Sequence, residues 1–183
     1  MAATYETLER DLECAYFEDL VSADNPVLDM VLPNEPIWGE SSPRMLLGPE
    51  ALGESILVNN EEHFIAGLEK YGADASRWQV PSYVQSLLGL EDSELAEFFG
   101  TDPELLSDFA KGQSRKDLLR SLLTAKFVHD TLVRQRPGHY GVILRIPSEL
   151  YAGRNMIQAI GEGRAAFVVG NLYQYNRRLD AII

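Results

Sequence analysis

The chain has few of the residues that build covalent or metal-bound frameworks. One cysteine, Cys14, occurs in 183 residues, so no internal disulfide or thiolate cluster can form. Within an amphipathic stretch it reads as a half-buried core thiol. His63, His129 and His139 are the only histidines, and none has a second His or Cys at metal-ligand spacing. No glycine-rich loop with a lysine is present to cradle phosphate, and "GEGR" at 161–164 is too short to act as one. No Ser or Cys sits in a legible nucleophile motif, although a triad assembled only in space would leave no such trace. These absences point away from an enzyme, a metal or an organic cofactor. Also missing is any apolar run approaching membrane-span length, and the first residues, "MAATYETLERDLE", are acidic and amphipathic rather than a basic leader. A cytoplasmic protein with no membrane partner is expected.

Positive charge is scarce in one part of the chain only. Residues 1–110 hold 4 Lys/Arg against 23 Asp/Glu, a net −19, whereas residues 111–183 hold 12 against 5, a net +7. A basic surface for an anionic partner, an acidic segment lying against its own basic one, or two separately solvated surfaces would each give this division.

With 45% hydrophobic residues the chain can bury a proper core. Leu8, Leu12, Tyr16 and Leu20 recur at helical spacing among acidic residues, predicting an amphipathic helix over Thr4 to Val21. Pro26, Pro33, Pro36, Pro43 and Pro49 then suggest an irregular wrap over 23–60, anchored by Trp38 and Leu46-Leu47. A helix is expected from about Asn60 to Tyr71 with Phe64, Ile65 and Leu68 inside, and another from near Pro81 to Gly89.

The segment "DSELAEFFGTDPELLSDFAKG" has the build of a helix-turn-helix. Leu95, Phe98, Phe99, Leu105, Leu106 and Phe109 can form one seam, Gly100 can take a positive φ, and Asp102-Pro103 supplies an N-cap and a first helical residue. The second helix carries Asp102, Glu104 and Asp108, the wrong sign for DNA. After Gly112, Ser114 and Asp117 open a long helix with Leu118, Leu122, Ala125, Val128 and Leu132 as its stripe. Its other face holds Arg115, Lys116, Arg120, Lys126, Arg134 and Arg136; with Lys111, the residues Arg115, Lys116 and Arg120 are the candidates for operator DNA. His129 reads as a packed or surface residue.

"GVILRI", at 141–146, suits a strand or a helix and is left open. "YAGRNMIQAIGEG" reads as a loop, a two-turn helix and a glycine break. Val168, Leu172, Tyr175, Leu179 and Ile182 form the seam of a last helix. The expected fold is mainly α: a helix-turn-helix core and a small C-terminal helical domain, with one short strand near 140–146 as the open question. Three regions follow, an acidic one over 1–75, a helix-turn-helix domain over 76–136 and a C-terminal domain over 137–183.

Two consecutive patterns carry a family resemblance. Gly89-Leu90, Glu94-Leu95-Ala96, Gly100 and Gly112 match one, with Phe99 in place of a usual Leu; Pro147, Gly153-Arg154 and Gly163 match the other. In this order they make residues 80–183 similar to the Xre/MbcA/ParS-like antitoxins. Tyr151-Ala152 stands where the family tends to have Leu-Gly, and Met156 where it has Pro. The resemblance implies a homodimeric antitoxin that covers the active site of a RES-type, NAD-consuming toxin, with repression of its own operon as a second activity. It implies toxin contacts at Gly153, Arg154, Arg177 and Arg178. The bland alternative for Arg154 is a structural fork within its own domain, and for the whole chain an adaptor or regulator without a toxin.

Overall fold

Pro49 opens a helix rather than breaking one. The computed structural model describes residues 48–71 and 79–180, and helix α1 runs Pro49–Tyr71. This corrects the expected start near Asn60. Proline has no N–H to offer, but the first helical position has no intrahelical use for one, and the fixed φ of proline already suits a helix. Asn60 is accommodated in the helix interior because its Nδ2 donates to the Ile56 carbonyl at 2.7 Å. The expected N-terminal helix, Cys14, Trp38 and Leu46-Leu47 lie outside the described residues, as does Ile182. The expected inward positions of Phe64, Ile65, Leu68 and Leu179, and the setting of His63, lie outside the described side chains.

Helix α2 spans Gln79–Leu88 and stops at Gly89, whose φ is 61°. Helix α3, Asp92–Phe99, starts with the Glu94 carboxylate accepting from the Glu91 N–H at 2.9 Å and ends at Gly100 with φ 66°. A 3-10 turn, Pro103–Leu105, leads into α4, Leu106–Gly112. Asp102 occupies the cap position with extended backbone, but its side chain makes no capping bond. Helix α5, Arg115–Gln135, is capped by Ser114, whose Oγ accepts from the Asp117 N–H at 3.1 Å. Helix α6 is Tyr140–Arg145, followed by a 3-10 turn at Glu149–Tyr151. Helix α7, Met156–Ala159, passes through a wide turn at Ile160–Arg164, bent at Gly163, into α8, Ala165–Asp180.

The fold is mainly α, and the segment over 140–146 is a helix, not a strand. Among the described residues the only bridge is Ser148 with Arg154. Pro147 ends α6 by forcing Ile146 out to φ −76°, ψ 121°. Leu144 is its one fully buried side chain, while Val142 and Ile146 stay in solvent, and among the described residues no sheet neighbour rewards their β-branching.

Helix α5 is central, touching α1, α2, α6 and α8. The expected stripe is buried in full, and Leu119, Leu123 and Phe127 are buried as well, because neighbours cover the helix on several sides. Helices α1 and α8 cross with no side chains between them at two points: a Cβ on Gly53 would lie 1.6 Å from the Ala166 carbonyl oxygen, and one on Gly170 would lie 1.7 Å from that of Pro49. The α3–turn–α4 pair leans on the turn before α8, where Gly161 faces the carbonyl of Glu97. Two seam positions differ from expectation. Leu105 is exposed, its place taken by buried Ala110, because the second helix begins as a 3-10 turn and rotates the following side chains. Tyr175 is also exposed, whereas Val168 and Leu172 of the same seam are buried as expected, joined by Val169 and Tyr173.

Candidate partner-binding site

Two left-handed residues in succession, Ala152 at φ 56° and Gly153 at φ 78°, turn the chain sharply outward after the 3-10 turn. For Ala152 this conformation costs about 1 kcal/mol relative to glycine. Backbone bonds hold it: Ser148 donates to the Arg154 carbonyl at 3.0 Å and Gly153 to that of Ser148 at 3.0 Å. The Ser148 Oγ accepts from the Leu150 N–H at 3.2 Å. Arg154 projects from this bend with its side chain 54% exposed and Nε 3.0 Å from the Glu162 carboxylate. It is neither buried nor in a cleft. The ion pair fits the structural alternative for Arg154 and leaves much of the guanidinium in solvent.

Arg164, which the sequence did not single out, also braces the bend. Its guanidinium stacks 4.5 Å above the Phe167 ring and donates to the Leu150 carbonyl at 3.4 Å, while Tyr151 meets Phe167 edge-on. Leu150, on the outer side, is 60% exposed. Arg177 and Arg178 lie near the end of α8, and their side chains are outside those described.

The basic face expected along α5 is divided into three parts. At its start, Glu54 of α1 receives both arms of the Arg120 guanidinium, and Glu61, almost wholly buried, lies 3.6 Å from Lys116 Nζ. The Arg120 hydrogen bonds outweigh partial burial and hold the Glu54 carboxyl below its ordinary range. Lys111 lies 3.5 Å from Asp108. The side chain of Arg115 is outside those described. In the middle, Lys126 corrects the expectation of a surface cation: it is buried and pairs with Asp130 at 2.8 Å. Burial opposes the Asp130 charge, but hydrogen bonds with His129 and Lys126 together hold its carboxyl below the usual range. His129 packs edge-on against Tyr140. At the end of α5, Arg134 and Arg136 are exposed and have no acidic partner among the described residues. Missed entirely was Arg145, whose fork reaches Glu94 through Nε and Nη2, both at 2.6 Å, across the α6–α3 contact.

The pairing of acidic α1 with basic α5 gives a testable consequence. Glu54→Gln with Glu61→Gln frees Arg120 and Lys116, so binding to nonspecific duplex DNA is expected to tighten a few-fold at low salt, with the log–log salt slope steeper by up to about 2. An unchanged slope in fluorescence anisotropy would show that these cations do not face DNA. Among the described residues no three His, Cys, Asp or Glu gather at metal-binding distance, and no helix is long and apolar enough to cross a membrane. No family model, curated protein or solved structure matches this chain.

Proposed function

We propose that this chain is a non-catalytic antitoxin that binds a RES-type, NAD-consuming toxin over its active site. The observation that carries the reading is the outward bend at Ala152–Arg154, which presents a half-exposed arginine and the exposed Leu150 beside a helix-turn-helix-like pair. Arginine suits such a contact because its fork bonds carboxylates bidentately and tolerates partial burial. Gly153 shapes the bend, and Arg177 and Arg178 extend the contact along the last helix. Repression of its own operon is a weaker second activity, since the second helix is short and acidic and Lys111, Lys116 and Arg120 are engaged by carboxylates.

Co-expression with the adjacent gene tests this. The wild-type chain is expected to restore growth against a toxic neighbour, and Arg154→Glu with Leu150→Asp to reduce surviving colonies by about 100-fold while the circular dichroism spectrum stays unchanged. Full rescue by that variant refutes the placement of the contact. A neighbour without toxicity refutes the antitoxin reading and leaves the adaptor reading in place.

A further inference from the structure

The end of α5, helix α6, the turn at Ser148–Tyr151 and the outer face of α8 enclose an open groove of about 550 Å³. Leu132, Ile143, Met156 and Leu172 are among its apolar lining, Gln135, Ser148, Asn171 and Gln174 add neutral polar groups, and none of the described lining residues is acidic. All of these residues come from the part of the chain whose net charge is +7. Three of the large exposed hydrophobics among the described residues, Ile146, Leu150 and Tyr175, line this groove. Single exposed apolar residues are ordinary, but a cluster around a groove marks an interaction surface. Arg136 lines the rim without a carboxylate partner among the described residues, and Arg134 lies two residues before it on α5.

We infer that this groove docks an acidic amphipathic helix of a partner protein. The groove supplies what such a helix needs. Its apolar stripe fills the Leu132–Leu172 floor and covers Ile146, Leu150 and Tyr175, and one carboxylate meets Arg136. A basic helix would meet Arg136 with like charge. The inference rests on the reading that this face meets a protein, whichever protein that is. Because Leu150 belongs to both, the groove and the Arg154 bend form one continuous surface.

The test uses the full chain and two labelled helical peptides of about eighteen residues, one with leucines on one face and glutamates on the other, the second with lysines replacing the glutamates. In fluorescence anisotropy the glutamate peptide is expected to bind at least ~10-fold tighter than the lysine peptide, a preference that shrinks as salt is raised. Arg136→Glu should abolish or reverse the preference, and Leu150→Asp should weaken the glutamate peptide by ~10-fold or more. Both positions are exposed, so neither change threatens the core, and circular dichroism checks this. Absent binding, equal binding of the two peptides, or indifference to Leu150→Asp overturns the inference. Binding that emerges only when Leu8 and Leu12 are changed to Asp assigns the groove to the chain's own acidic stripe and overturns it too. A chain that rescues growth yet ignores both peptides keeps the proposed function and loses the groove.

Discussion

Gly53→Ala is expected to lower the stability of the fold by about 3 kcal/mol, and Gly170→Ala by a similar amount. At both points the new methyl would lie within 1.7 Å of a main-chain carbonyl oxygen on the other helix. Neither obstacle is a side chain that can rotate away, so α1 and α8 must move apart by roughly 1.5 Å before the contact becomes tolerable. Separation on that scale forfeits a quarter to a half or more of the dispersion energy across the interface. It would be felt by Leu52 and Ile56 of α1 and by Val169 and Tyr173 of α8, which share one core. The better helix propensity of alanine returns only about 1 kcal/mol. For a chain of this size the net loss corresponds to a fall in Tm of about 6–12 °C, read by far-UV circular dichroism. Gly112→Ala is the control: nothing lies within 4 Å of its Cβ, so stability should hold or rise by up to about 1 kcal/mol. A Gly53→Ala protein that melts with the wild type would mean that the two backbones do not meet as described.

The parts of the fold that were legible in the sequence are those set by neighbours along the chain. Gly100 and Ser114 mark helix ends because their signals are local, a left-handed stop and a side-chain cap. The α5 stripe declared itself through spacing alone. Pro49 misled because proline is equally at home in an irregular wrap and at the first residue of a helix, and the density of prolines before it favoured the wrong choice. Lys126 looked like a surface cation, yet Asp130 four residues on was the available sign that it had a carboxylate partner on its own helix. Tyr175 and Leu105 continue apolar periodicities that burial does not follow, since spacing alone does not say whether a neighbour is there to cover the side chain.

The candidate site divides in the same way. The Ala152-Gly153 turn and exposed Arg154 follow from a local motif. Arg164, which braces the bend through Phe167 and the Leu150 carbonyl, acts at a sequence distance that no pattern revealed. The groove draws its walls from five segments between Leu132 and Tyr175, and no single stretch hints at it. The charge division has a structural answer in one place. The carboxylates of α1 pair with Lys116 and Arg120 of α5, and among the described side chains of that basic face Arg134 and Arg136, the latter at the groove, have no acidic partner. Of the net +7 in residues 111–183, the part carried by Lys116 and Arg120 is thus paired with α1.

Arg145→Met should cost about 2–4 kcal/mol, a large effect for a residue on a six-residue helix. The guanidinium bonds both oxygens of Glu94, the carbonyl of Gly89 at 2.9 Å and that of Gly141 at 2.8 Å. It thereby ties α6 to the end of α2 and the start of α3. Its removal leaves Glu94, only 20% exposed, with the single backbone bond from Glu91. Arg145→Lys should recover less than half of the loss, because one ammonium cannot reproduce a planar fork. Replacing both partners, Arg145→Met with Glu94→Leu, should cost less than the two single changes together. The pH dependence has a definite sign. The Arg145 hydrogen bonds, opposed by partial burial, hold the Glu94 carboxyl below its ordinary 4.5 in the folded state. A depressed carboxylate contributes stability that is fully present above the unfolded value and is lost as pH falls through the folded one. Wild type and Arg145→Met should therefore differ most in urea midpoint near pH 7 and converge below about pH 4. The convergence will be partial, since about a third of Arg145 is in solvent and its carbonyl bonds do not titrate. Equal gaps at pH 7 and pH 3 would show that the carboxylate contributes nothing to the lock.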